Sequence, residues 1–182
     1  MSLKISRSVG VLSKIKNIVP DNVLLMLYNS LILSHLSYCN LAWGNSYSGH
    51  LNAIKLLQKR AVRIITHSNY SSPSIPLFIK MKILPIQELI TLNTLVFMYN
   101  FHSGKLPCIF KSMFVSNSSI HSHNTRQQSL LHKNSVCTTH ALYLLQNVGI
   151  TKWNNLSNNV KSSGTLSKFK VSCKRELFNC LS

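Results

Sequence analysis

Lys55, Lys59 and Arg63 recur every four residues, with Arg60 beside them, a spacing that a helix turns into a row. With about 1.5 Å of rise per residue, successive members stand about 6 Å apart, close to the phosphate interval along one nucleic-acid strand. The chemistry on offer is ionic. Ammonium and guanidinium groups arranged this way track a phosphate backbone and position a duplex without reading its bases. A second set, Lys168, Lys170, Lys174 and Arg175, lies in the last segment and does not keep one line. For either set the plain alternative is a solvated polar face.

Groups able to make or break bonds are scarcer. Asp21, Glu88 and Glu176 are the only acids. Two-metal phosphoryl transfer needs carboxylates to hold its ions, and Mg²⁺ usually sits on carboxylates together with substrate phosphates. Three scattered acids without an Asp-Asp doublet supply no such cage. Asp21 and Glu88 each open an expected helix, where the positive end of the dipole favours a carboxylate. Glu176 lies among cations and is expected to be their local partner. No catalytic residue is assigned, and none of the Gly-rich phosphate loops is present.

Eight histidines and five cysteines invite a metal. The tightest grouping, His121-x-His123 followed by Cys137-x-x-His140, is not a standard finger half and has no second C-x-x-C. Neither a metal ligand nor a cofactor is assigned. A Cys–His nucleophilic pair would lack an acidic orienting partner, leaving only an Asn for that role. Cys39, Cys108, Cys137, Cys173 and Cys180 form an odd, dispersed set, which fits reduced thiols in the cytosol or nucleus.

Charge sets the class of partner. Twenty Lys and Arg against three Asp and Glu leave a net charge of +17 on 182 residues. Such an excess calls for a polyanion, with nucleic acid first and an anionic membrane surface second. No apolar run approaches the ~18 residues of a membrane span, so no membrane partner is assigned. The opening MSLKISRSVGVLSKIK has the composition of a mitochondrial transit peptide. The whole chain shares that composition, and no targeting signal is identified.

Helical periodicity must position these groups. Ile5, Val9, Leu12 and Ile15 mark a first helix. Pro20 and Asp21 open a second, with Val23, Leu24, Leu27, Leu31 and Ile32 following. After an aromatic turn containing Trp43 and Gly44, a third helix spans about 50–66, with Leu51, Ile54, Leu57, Ala61, Ile64 and Ile65 inward and the Lys55–Lys59–Arg63 row exposed. A fourth runs from Pro85 towards His102 and is stopped by Gly104. From about Val115 the composition turns to Ser, Asn, His, Thr and Gln, placing an expected boundary between 1–115 and 116–182. The short stretch ALYLLQNVGI reads as either strand or helix. An amphipathic helix starts at about Thr165, with Leu166, Phe169, Cys173 and Leu177 inward. The expected class is mainly α: a helical bundle, then a small, less regular lobe ending in that helix.

The ordered blocks KISRSVGVLSKIKNIVP, LLMLYNSLILSHLSYCNLAWGN, LNAIKLLQKRAVRIIT, PLFIKMKILPIQEL and FMYNFHSGKLP are similar to the region downstream of the catalytic palm in Jockey-like non-LTR (LINE-type) retrotransposon reverse transcriptases. HSHNTRQ resembles the family's Y-N-T-R segment, and KWNNLSNNVKSSGTLSKFKVSCKREL resembles its W-N-x-L-P…F-K-x-x-L-K ending. His123 replaces the usual aromatic, Ser157 the usual proline, and the turn before Trp153 reads G-I-T-K. The resemblance implies a thumb and C-terminal segment gripping the primer–template; the cations of the two sets above, Lys55, Lys59, Arg60, Arg63, Lys168, Lys174 and Arg175, are the residues expected to meet the backbone of such an RNA–DNA hybrid. The polymerase carboxylates would belong to a palm and fingers missing from this chain. The alternative is an inert, truncated retroelement product.

Overall fold

The computed structural model describes residues 1–120 and 126–181, and these are mainly helical. Two compact units divide the chain, Met1–Ile90 and Thr91–Cys180. The division falls inside one helix rather than at the expected 115/116 boundary. A change to polar composition marks where side chains stop being apolar, which is not where packing changes partners.

In the first unit α1 (Ser2–Ile15) buries Ile5, Val9 and Leu12 against α5 (Ser48–Ile65). The second expected helix has a more particular form. It runs as α2 (Asp21–Tyr28), a π-helical turn over Asn29–Leu33, and α3 (Ser34–Ser37). Its fully buried residues are Leu24, Tyr28, Ile32 and Leu36, four apart each time. At about 100° per residue that spacing would drift by about 40° per step on a regular α-helix. The wider π turn takes up part of this drift, which keeps the four side chains on one face.

Cys39, at φ 50°, turns the chain into the short α4 (Asn40–Trp43). Trp43 Nε1 donates to the Tyr38 carbonyl at 2.8 Å, so this aromatic staples the turn. At Gly44 a Cβ would meet the Asn40 carbonyl oxygen at 2.4 Å and Ile90 Cγ1 at 2.7 Å. Only hydrogen fits between them.

Among the described residues, three helices end on the same two-bond closure. After α5, Ser68 N–H donates to Arg63 O and His67 N–H to Ile64 O; after α6 (Ser74–Lys80), Ile83 donates to Phe78 O and Lys82 to Ile79 O. After α7 (Ile86–His102), Lys105 donates to Asn100 O and Gly104 to Phe101 O. The left-handed position is Gly104 in the last case, the expected stop, but His67 and Lys82 in the others.

The second unit takes the rest of α7, whose Leu92, Leu95, Met98 and Tyr99 are buried. A 3₁₀ turn (Cys108–Phe110) follows, and Phe97 meets Phe110 edge-on at 5.5 Å. In the polar stretch past 115, residues 115–118 are tied to 128–132 by backbone pairing rather than by hydrophobic periodicity. Besides the short α8 (Asn117–Ile120), it contains a bridge from Ser116 to Leu131. Asn154 then completes the pairing of Leu131, accepting from its N–H at 3.2 Å and donating to its carbonyl at 2.9 Å.

The ambiguous ALYLLQNVGI is helical: α9 (Thr139–Tyr143), capped by the Thr138 hydroxyl, and α10 (Leu145–Asn155). Next come α11 (Asn158–Lys161) and α12 (Leu166–Asn179), the latter capped by Thr165. Phe169 and Cys173 point inward, as expected, and Phe169 stacks on Tyr99 at 4.4 Å. Burial raises the Cys173 thiol to about 12, with Glu176 adding to the effect, so it stays protonated. Four helices thus lie among the described residues after 138, the last of them the expected amphipathic one.

Candidate nucleic-acid interface

The rotation of α5 decides what its cations can do. Leu51, Ile54, Gln58, Ala61, Val62 and Ile65 are its buried residues, whereas Leu57 and Ile64, expected inward, are only half-buried. The polar Gln58 is inside because every bond it needs is waiting there. Its Nε2 donates to Tyr28 Oη at 2.9 Å and to Leu84 O at 3.0 Å, and its Oε1 accepts from Ile86 N–H at 2.8 Å. Burial raises the Tyr28 phenol to about 12 against a small opposing effect of the Gln58 bond.

This rotation brings the cation row to the edge of the buried face. Each four-residue step advances about 40° around the helix, so the row crosses the surface obliquely. Lys55, Lys59 and Arg63 are half-buried rather than fully exposed, and Arg60 is exposed. Lys55 Nζ donates to Gln87 Oε1 at 3.2 Å. Arg63 is committed further: Nε and Nη2 donate to the Ser72 carbonyl at 3.0 and 2.9 Å, and its guanidinium lies 5.7 Å from the Tyr70 ring centroid. Lys59 and Arg60 have no hydrogen bond or ion pair among the described residues.

Arg60 and Arg63 border a cleft of about 460 Å³ between α1 and α5, lined also by Leu3, Leu56 and Tyr70. Tyr70 is 82% exposed, leaving ring surface beside a guanidinium. Sequence reasoning missed Tyr70 because it lies in a loop outside the helical repeat.

On α12, Lys168, Lys174 and Arg175 are all exposed, as is Lys170. Lys168 and Arg175, one heptad apart, come within about 20° of one line, with Lys174 about 100° from Arg175. These residues belong to the second unit, and the α5 group belongs to the first.

The acids form no ion pair with these groups. Asp21 Oδ1 lies 3.2 Å from His67 Nε2, within hydrogen-bond distance, and no acid meets a lysine or arginine among the described residues. Both Asp21 and Glu88 occupy first turns, as expected. Glu176 departs from expectation: it accepts the Ser157 hydroxyl and forms no ion pair with its cationic neighbours. Ser157 opens α11, which packs beside α12, and holding a long, solvated lysine instead would gain the carboxylate little.

No three His, Cys, Asp or Glu side chains converge on a metal position among the described residues. His121 and His123 lie outside those residues, whereas Cys137 and His140 are exposed. No described helix is long and apolar enough to cross a membrane. No family model, curated protein or solved structure matches this chain.

Proposed function

We propose that this chain binds the sugar–phosphate backbone of a primer–template duplex, as the thumb and C-terminal segment of a Jockey-like non-LTR retrotransposon reverse transcriptase. In this reading it grips an RNA–DNA hybrid, while a palm and fingers supply the catalytic carboxylates. Taken alone the chain is not a polymerase. Its site of action is the nucleus or the cytoplasm, where hybrid duplexes form.

The observation that carries the reading is uncompensated charge. Among 20 cations and three acids, the acids engage a histidine, a serine and a helix start rather than a lysine or arginine. Lys59, Arg60, Lys168, Lys174 and Arg175 are thereby left to an outside anion. The shape of a hybrid supports it too, since an A-like duplex has a wide, shallow minor groove on which a helix can rest.

A second reading, an inert fragment, draws on exposed apolar side chains. Ile18 is 78% exposed, Met26 65% and Ile109 77%. On the first reading such residues are where the palm and fingers pack. On the second they drive aggregation, and cooperative thermal unfolding of a soluble monomer counts against that.

The direct test compares a short RNA–DNA hybrid with liposomes of anionic phospholipid at one ionic strength. Hybrid binding is expected to be the tighter. Liposome binding without hybrid binding contradicts the proposal.

A further inference from the structure

The second unit contains a cleft that backbone contacts of α5 and α12 do not use. It measures about 490 Å³ and lies where the end of α7 meets α10, α11 and the turn before α12. That volume is in the range of small-molecule sites, about 300–1,000 Å³. Among the described residues, Lys161 is the one lysine or arginine in its lining, and no carboxylate lines it. Its preference is therefore for an anion.

Three aromatic rings line the cleft, and they are not equivalent. Tyr99 and Trp153 are each only 7% exposed, and the Tyr99 hydroxyl is spent on the Ser163 carbonyl at 2.9 Å. His102, in contrast, is exposed. Its ring lies parallel to Trp153, 4.5 Å between centroids and 15° between planes. One face of the imidazole is thus covered by indole and Phe101 meets the ring edge-on at 5.5 Å, yet His102 keeps enough exposed surface for a further ring to join the stack. Burial, and then the charge of Lys161, lower the His102 pKa, which keeps the ring neutral near pH 7. Lys161 itself is half-buried and donates to the Asn154 carbonyl at 3.3 Å, a bond that uses one of its three N–H groups. Partial desolvation lowers its pKa, a cost that a bound anion would reverse. The exposed Asn158 and Ser129 stand at the rim with polar atoms for a base edge or sugar.

We infer that this cleft holds a single unpaired nucleotide, its base stacked on the open face of His102 and its phosphate on the Lys161 ammonium. The inference deepens the nucleic-acid reading and rests on it for its biological sense. Duplex contacts along the helices fix the backbone, and the cleft takes one nucleotide that has left or never joined the paired stack. Recognition by stacking tolerates any base, because every base has a π face.

The test uses the whole chain and three probes: AMP, adenosine and inorganic phosphate, followed by calorimetry and by tryptophan fluorescence. AMP is expected to bind about tenfold more tightly than either part alone, as stacking and charge contribute separately. His102→Ala should bring AMP down to the affinity of phosphate, and Lys161→Gln down to that of adenosine. Hybrid-duplex binding should stay unchanged in both variants, which also reports that they fold. AMP binding no tighter than phosphate, or AMP binding intact in both variants, overturns the inference. Because AMP is titrated without duplex, failure of the hybrid to bind would be seen separately and would count against the backbone-gripping reading alone.

Discussion

Arg63 holds the carbonyl of Ser72 with two N–H groups, at 3.0 and 2.9 Å, and so closes the loop between α5 and α6. The third cation of a regular row is thereby a structural clamp, while its neighbours Lys59 and Arg60 have no such duty. Arg63→Ala should lower stability by about 1–3 kcal/mol, the usual cost of losing a hydrogen bond to a charged group. Lys59→Ala and Arg60→Ala should leave the melting temperature nearly unchanged and each reduce the salt slope of nucleic-acid binding by about one. Thermal unfolding and duplex titration on the same three variants check the division.

Tyr28 and Gln58 make a second test in the interior. With its phenol raised to about 12 by burial, Tyr28 favours folding while neutral. Its folded value lies above the unfolded value of about 10, so its contribution is complete below that point and is lost as pH rises through the interval. Alkaline titration of unfolding should show stability falling there, and Tyr28→Phe should flatten the fall. Gln58→Leu removes the partner of the Ile86 N–H and is expected to cost about 1–3 kcal/mol by stranding a buried donor.

Gly44 is held between Asn40 and Ile90 with no room for a methyl group. Gly44→Ala should destabilise the first unit by about 1–3 kcal/mol through overpacking. Lys82 is the opposite case, an exposed non-glycine residue at φ 54°. Lys82→Gly relieves the left-handed strain, partly offset by a more flexible unfolded chain, for a net gain of up to about 1 kcal/mol. Denaturant midpoints of the two variants should move in opposite directions.

His102 should titrate below the ordinary histidine value of about 6.5, first because burial disfavours its cation and second because Lys161 repels it. The neutral ring is the form that folding favours. Its stabilising contribution is present above the ordinary value and declines as pH falls towards the depressed one. Imidazole proton resonances followed against pH measure the midpoint directly.

Much of the helical order was legible because apolar spacing is a direct record of which face is buried. α1, α7 and α12 carry Ile5–Val9–Leu12, Leu92–Leu95–Tyr99 and Phe169–Cys173 on schedule, and Gly104 and Thr165 mark ends by well-understood backbone chemistry. The rotation of α5 was not legible. Gln58 looks like a surface residue until Tyr28, Leu84 and Ile86 supply its partners, and those lie 26 to 30 residues away in sequence. That same rotation hid the roles of Lys55 and Arg63. The pairing of residues 115–118 with 128–132 was invisible for a related reason: it depends on Asn154 and on backbone groups, which leave no periodic trace. Likewise the parallel rings of His102 and Trp153 join residues from two helices, and no spacing within either announces them.

Affinity for a short RNA–DNA hybrid, measured from low to physiological salt, bears most directly on whether the unpaired cations hold a phosphate backbone. With about four phosphates neutralised, log K should fall against log[salt] with a slope of roughly −3 to −4. A flat dependence, or no binding even at the lowest salt, would contradict it.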